Sequence, residues 1–414
     1  MKRSLESTFG SGRSLFQPVP QKPRVDMPVS PTPTPSSLGS GQPVMKSVAP
    51  RVPVQIVWQS QTDHNSAILP SSQERISSQQ TFVTARGTEL RNAILTDNRE
   101  VARDILAGYG ASRIAMATDV DGQNALFYAI KKQDLLVMND LLALSDSNKL
   151  AMQVSARGIT PLCLAAQLGW VAAVQLLLKM DSAREQILIT LSPTKVQEKG
   201  NALMLAASNG HERVVSVLLD SVHVAPLLEG KTMSGFDPLM LAAHRGHEAV
   251  VKILLTSTYA EELTQSSNAE GMNALVVAVY KDHAAIVQML LDSPFATTLL
   301  QAKGKEGFNV LMIAAQNGHE AITRMLLASN YAEVLMKETN DEGANALLLS
   351  VFKNNPAVTS VLLGFGFVEQ QLAVTYKGLS AIDIALHNRY HKVAEVLRRH
   401  GAFATRGNAS DHSS

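Results

Sequence analysis

Four histidines, His211, His247, His283 and His319, recur at intervals of 36 residues, and a series of imidazoles raises the question of a metal ladder. Spacing argues against it. Neighbouring units of a helical stack lie about 8–10 Å apart, whereas the imidazole ligands of one zinc ion each sit about 2.0–2.1 Å from it. The single cysteine, Cys163, falls in a column filled elsewhere by Met204, Met240, Val276 and Met312, so it reads as a small buried hydrophobe rather than a reactive thiol. The chain has no glycine-rich phosphate loop, no cysteine pair, no His-Glu-x-x-His and no Gly-x-Ser-x-Gly; these are the patterns that usually announce phosphate, zinc or acyl chemistry. The expectation is a protein without catalytic residues, metal or cofactor.

The elements that position these side chains form an array. One apolar position runs through Leu90, Leu126, Leu162, Leu203, Leu239, Leu275, Leu311, Leu347 and Ile382, in steps of 36, 36, 41, 36, 36, 36, 36 and 35 residues. A fixed period of this size means stacked units that bury their apolar faces against one another. There are nine, with one insertion between about Ile187 and Lys199. Two residues before the apolar position stand Asn124, Thr160, Asn201, Asp237, Asn273, Asn309, Asn345 and Ser380, all able to accept a bond from the free amides of a helix start. Three residues after it come Ala93, Ala129, Ala165, Ala206, Ala242, Ala278, Ala314, Ser350 and Ala385, small enough for consecutive helices to approach closely. Gly169, Gly210, Gly246 and Gly318, with Asp282 and Asn354 standing in, then end the first helix in a left-handed turn. A second helix follows, with a polar column of Arg103, Asn139, Gln175, Ser216, Lys252, Gln288, Arg324, Ser360 and Glu395 on its solvent side.

These units resemble ankyrin repeats. The resemblance rests on Gly158-Ile-Thr-Pro-Leu-Cys-Leu-Ala-Ala166 and Ala242-Ala-His-Arg-Gly-His247, and it covers about residues 87 to 402. It implies an all-α solenoid of about nine helix-turn-helix units joined by short hairpin connectors. It also implies that the recurrent histidines brace the turn between helices. Two departures stand out. Where the family pairs a histidine with its capping threonine, this chain has Phe127, Cys163, Met204, Met240, Val276, Met312, Leu348 and Asp383, which moves stability from a polar pair toward burial. The repeat is also longer than the family's common 33 residues, and the extra residues, as in Tyr259-Ala-Glu-Glu-Leu263, Phe295-Ala-Thr-Thr-Leu-Leu300 and Tyr331-Ala-Glu-Val-Leu-Met336, predict an added helical turn before each hairpin.

By the same resemblance, partners are expected in the concave groove, on the hairpin tips and the exposed end of the first helix. The two residues before each turn are Lys131, Gln167, Ser208, His244, Tyr280, Gln316, Phe352 and His387, then Lys132, Leu168, Asn209, Arg245, Lys281, Asn317, Lys353 and Asn388. Neither column contains an acid, whereas Asp121, Glu270, Glu306 and Glu342 precede the opening glycines at the tips. A neutral-to-basic groove floor favours a protein partner with an acidic or phosphorylated segment. Phe236, Met272 and Phe308, one after each opening glycine, are either contact residues of a hot spot or packing under their own hairpins.

The formal net charge is +1, which argues against nucleic-acid or membrane-surface binding by bulk electrostatics. No run of about 18 apolar residues is available to span a membrane. Residues 1–80, rich in Ser, Pro and Gln, have too little apolar content to offset ordering entropy and are expected to be disordered. The array is expected over 81–403, a second disordered tail over 404–414, and the chain is expected to be a monomer. Val54-Gln-Ile-Val-Trp58 is the leader's one strand-forming run. The leader resembles export leaders of bacterial type III effectors, which implies delivery into a host cell; otherwise the chain is cytoplasmic. The alternatives are an intracellular adaptor recruiting a second protein through Pro20-Gln-Lys-Pro23, a ubiquitin-ligase adaptor with an F-box-like pair opening at Leu69-Pro70, and an enzyme activity hidden in the leader.

Overall fold

A computed structural model describes residues 72–190 and 200–402. The leader segments singled out above (Val54 to Trp58, Pro20 to Pro23 and Leu69-Pro70), most of the insertion and the tail from 403 lie outside the described residues. Helix Ser72–Leu95 runs through residue 81, where the sequence placed the start of the array, and is the first helix of the first unit, packing on Arg99–Ala107, Ala111–Met116 and Ala125–Lys132.

With it, nine units stand in register. Eight have three helices, as in Ala274–Tyr280, Ala284–Leu291 and Ala296–Leu300, and the last has two, Ala381–His387 and His391–Arg399. The short third helix is the expected added turn: it covers Ala260–Gln265, Ala296–Leu300 and Ala332–Lys337 at the three connectors named from the sequence. Consecutive first helices pack side by side, and so do consecutive second helices. Every member of the small-residue column is buried, from Ala129 to Ala385 at 0 % exposure. Ser350 fits there because its hydroxyl donates to the Leu347 carbonyl at 2.7 Å and pairs with Thr359. The polar column of the second helix is exposed, except for half-buried Ser216.

The caps behave as their chemistry requires. Asn201, Asp237, Asn273, Asn309 and Asn345 each accept the amide three residues on, at 2.8–3.0 Å, which satisfies one of the orphan donors of a helix start. Ser380 goes further and forms a reciprocal box with Asp383. Asparagine also does a second job. Its Nδ2 donates to the carbonyl 26 residues later, at the end of the third helix: Asn124 to Leu150, Asn201 to Leu227, Asn273 to Leu299, Asn309 to Leu335 and Asn345 to Gln371, at 2.7–3.1 Å. A threonine hydroxyl is too short for both tasks, so the longer repeat and the asparagine caps belong together.

Candidate partner-binding groove

Each described hairpin is a tight turn closed by two backbone bonds and, in most units, by one short polar side chain. Asn268 shows the pattern: its amide donates to the Met272 carbonyl at 2.9 Å, the Gly271 amide donates back to its carbonyl at 3.0 Å, and its Oδ1 accepts the Glu270 and Met272 amides. Asp119 and Asn340 do the same in their units, and Ser155 and Thr232 accept the amide four residues on. Sequence reasoning missed this column, although a small polar residue three positions before most opening glycines was its signal. Adjacent tips are stitched together, with the Ala156 amide on the Asp121 carbonyl at 2.7 Å and the Asp341 amide on the Glu306 carbonyl at 3.0 Å. Acidic tips cluster toward the C-terminal half, with Glu306, Asp341 and Glu342 exposed and Glu270 half-buried, and Asp121 is exposed at the second unit.

The opposite edge is set by the turn after the first helix. The turn residue is left-handed whether or not it is glycine: φ is 75° at Gly210, 60° at Asp282, 55° at Asn354, 54° at Gln133 and 61° at Arg389. Glycine carries a second requirement at Gly169, Gly210 and Gly246, where a Cβ would meet the histidine ring of the next unit at 2.5–2.8 Å. That histidine crosses between units. Nε2 of His211, His247 and His283 bonds the carbonyls of Gln167, Ser208 and His244 at 2.8, 3.0 and 3.3 Å. These residues thus tie one repeat to the one before it, in addition to sitting at the turn where resemblance placed them. Asn355 takes over the task with the Ala315 carbonyl at 3.1 Å, while His319 lies 3.2 Å from Asp282 through Nδ1. Among the described residues no group of His, Cys, Asp and Glu is arranged to hold a metal ion.

On this frame the two columns before the turn run along the ends of adjacent first helices. The first column, Gln167, Ser208, His244, Tyr280, Gln316 and Phe352, is half-buried, with Lys131 and His387 exposed at its ends. The second divides in two. Asn209, Asn317 and Asn388 turn back and donate to the carbonyls of Leu205, Ile313 and Ile384 at 2.7, 2.9 and 2.9 Å, so their first task is to cap their own helix. Arg245 and Lys353 are exposed, and Lys281 is half-buried with its ammonium 5.4 Å from the Tyr280 ring centre. Lys132 pairs with Asp97 at 3.1 Å, and Lys131 bonds Gln123 and lies 4.9 Å from the Tyr128 ring centre. The basic character is therefore concentrated at Arg245, Lys281 and Lys353. Burial, then Lys281, Arg245 and His283, push His244 down to about 4. Lys281 is lowered as well, by burial and by Arg245.

The apolar candidates separate by exposure. Phe236 and Met272 are 6 and 5 % exposed, and Phe236 meets His244 edge to face at 6.0 Å. Both pack under their own hairpins and offer a partner almost no surface, which is the packing reading of this column. Phe308 is half-buried. Phe352 stands edge to face with Tyr376 at 5.2 Å, and Tyr376 is itself buried with its hydroxyl donating to Glu342 at 2.9 Å. Cys163 is buried, as its column required.

The family model for ankyrin repeats, in its three-copy form, matches overlapping stretches 126–228, 185–266, 222–300, 260–337 and 311–408. The chain belongs to the ankyrin-repeat family. The match begins at the second unit, and the ankyrin array is carried one unit further toward the N-terminus by the helices from Ser72 to Met116. Comparison with curated proteins gives no match. An ankyrin array of this kind is a protein-protein interaction module, and the family is generally a non-enzymatic one. Among the described residues no helix is long and apolar enough to cross a membrane.

Proposed function

We propose that this ankyrin array binds a protein partner in its groove, and that the bound segment is acidic or phosphorylated. The observation that carries the reading is the row of Arg245, Lys281 and Lys353 along the ends of first helices, in two columns that contain no acid. Burial is the main cause of the lowered His244 and Lys281, and the neighbouring charges of Arg245 and Lys281 add to it. Carboxylates and phosphates gain charge-assisted hydrogen bonds from such a row, about twice as strong as neutral ones. The test is affinity capture with the full chain and with a Lys281→Glu, Lys353→Glu variant. Loss of the captured proteins with an unchanged circular-dichroism spectrum supports the reading, and an unchanged capture profile refutes it.

The Ser/Pro/Gln-rich leader supports a further proposal, that the array is delivered into a host cell as an effector. Its test is a fusion of residues 1–80 to a translocation reporter in a secretion-competent strain, and absence of translocated signal rejects it. The adaptor alternative predicts instead that the full chain captures a second protein that a chain lacking residues 1–71 does not.

A further inference from the structure

Of the units with a capped first helix and a third helix, two lack the asparagine, and both place a proline at the first helical position: Thr160-Pro161 and Asp237-Pro238. Neither a threonine nor an ionised aspartate can reproduce the amide nitrogen that donates to the end of the third helix. Both units also leave a buried oxygen without a partner, Gln186 Oε1 in the first and Asp237 Oδ2 in the second. Asp237 is the more informative. Its backbone angles, φ −92° and ψ 177°, match those of Asn345, φ −92° and ψ 177°. Its Oδ1 accepts the Met240 amide at 2.8 Å, as the asparagines do with their own third residue. Its Oδ2 therefore occupies the place of the asparagine Nδ2, and the carbonyl corresponding to Leu299 and Leu335 is that of Leu263, in the buried core of helix Ala260–Gln265. The residue is 1 % exposed.

We infer that Asp237 closes this unit only as a neutral acid, its carboxyl hydrogen donating to the Leu263 carbonyl, so that helix Ala260–Gln265 is held at low pH and released as pH rises. A buried carboxylate with one oxygen unpaired is costly, and proteins commonly relieve that cost by protonation. Burial pushes the Asp237 carboxyl up from its ordinary 3.8. The Met240 amide, Ser266, Lys231 and the Leu239 amide oppose that shift. Lys231 faces it from the residues leading into the unit's hairpin, and the buried Ser266 hydroxyl beside the carboxyl has no hydrogen-bond partner of its own. Glu261 and Glu262 of the third helix are exposed to solvent.

The sign follows from the raised acid. The neutral form is favoured in the folded unit, so the cost is absent below about 3.8, the ordinary carboxylate value, and grows as pH rises above it until the folded carboxyl has ionised. Release of this helix frees the residues leading into the Gly271 hairpin, next to the unit that carries Tyr280 and Lys281. The effect thus reaches the edge of the groove without belonging to the partner-binding reading.

Amide hydrogen exchange on the full chain tests this, because neighbouring units supply controls within one molecule. Helices Ala296–Leu300 and Ala332–Lys337 carry the asparagine clamp. After correction for intrinsic rates, Ala260–Gln265 should lose protection relative to both by about 5- to 30-fold between pH 4.5 and pH 7.5, the factor that one or two kcal/mol of opening free energy represents. Asp237→Asn should remove that pH dependence and bring the helix level with its neighbours. Asp237→Thr, which keeps the cap and removes the titrating group, should leave the helix poorly protected at both pH values. A protection ratio that does not change with pH in the natural protein, or the same pH trend in the Asp237→Asn variant, would overturn the inference.

Discussion

Replacing Asn273 by threonine is expected to weaken the sixth unit while leaving its helix cap in place. Asn273 is 3 % exposed and makes two bonds of different kinds. Its Oδ1 accepts the Val276 amide at 3.0 Å, and its Nδ2 donates to the Leu299 carbonyl at 2.8 Å. Threonine can keep the first, as Thr160 does with the Cys163 amide at 3.3 Å, but it has no donor that reaches the third helix. The loss is one buried hydrogen bond plus the cost of an unpaired buried carbonyl, about 1–2 kcal/mol. Alanine loses the cap as well, another ~1 kcal/mol, for a total of about 2–3 kcal/mol. Urea unfolding of the full chain followed by circular dichroism measures the sum. Because a long repeat array need not unfold in two states, hydrogen exchange of Ala296–Leu300 should accompany it. A threonine variant with the natural midpoint and natural protection of that helix would refute the argument, since the helix would then be held by packing alone.

Three further outcomes follow from the same contacts. Gly210→Ala and Gly343→Ala both place a side chain at positive φ, 75° and 81°, a strain of roughly 1–2 kcal/mol. Only Gly210 would also drive a Cβ to 2.7 Å from the His247 ring, Gly343 having nothing within 4 Å. Gly210→Ala should therefore unfold first in urea, and equal midpoints would mean that the ring moves aside without cost. Phe236→Ala should cost about 3–5 kcal/mol in thermal or urea unfolding, as truncation of a buried aromatic does, whereas Phe308→Ala, half-buried, should cost clearly less; a stable Phe236 variant that fails to bind would restore the contact reading of that column. His244, lowered to about 4 by burial and then by Lys281, Arg245 and His283, favours the neutral ring in the fold. Its contribution to stability should be intact above pH 6.5 and lost as pH falls toward 4. His244→Gln should flatten that part of the melting-temperature profile, and an unchanged profile would rule the residue out as its source.

The array was legible in the sequence because each repeat contacts mainly its neighbours, so the pattern of one unit contains most of what holds it. The asparagine caps, the small-residue column, the turn and the extra helical turn at residues 259–265 were all readable as local chemistry. The hairpin side chains at Asp119 and Asn268 were missed because their bonds span only two to four residues inside a loop with no apolar period. The candidate groove was read less fully. Position in the repeat located its two columns, but it could not separate Asn209 and Asn317, which turn back on their own helices, from Arg245 and Lys353, which face solvent. It also could not assign Phe236 and Met272, because an apolar residue after a glycine is equally suited to a contact and to a lining.

By itself the sequence determined the period, the number of units, the helix starts and the family, since each of these is written in residue types a few positions apart. Tertiary structure decided what joins the units. The asparagine side chain reaches a carbonyl 26 residues away, and the histidine ring reaches the helix end of the preceding repeat, 39 or 44 residues back. A side chain has two or three polar atoms and a sequence names them all, but only the folded stack shows which atom has found a partner. Asp237 makes the point: as a letter it is one more helix cap, and in the stack it is a cap with one oxygen left over.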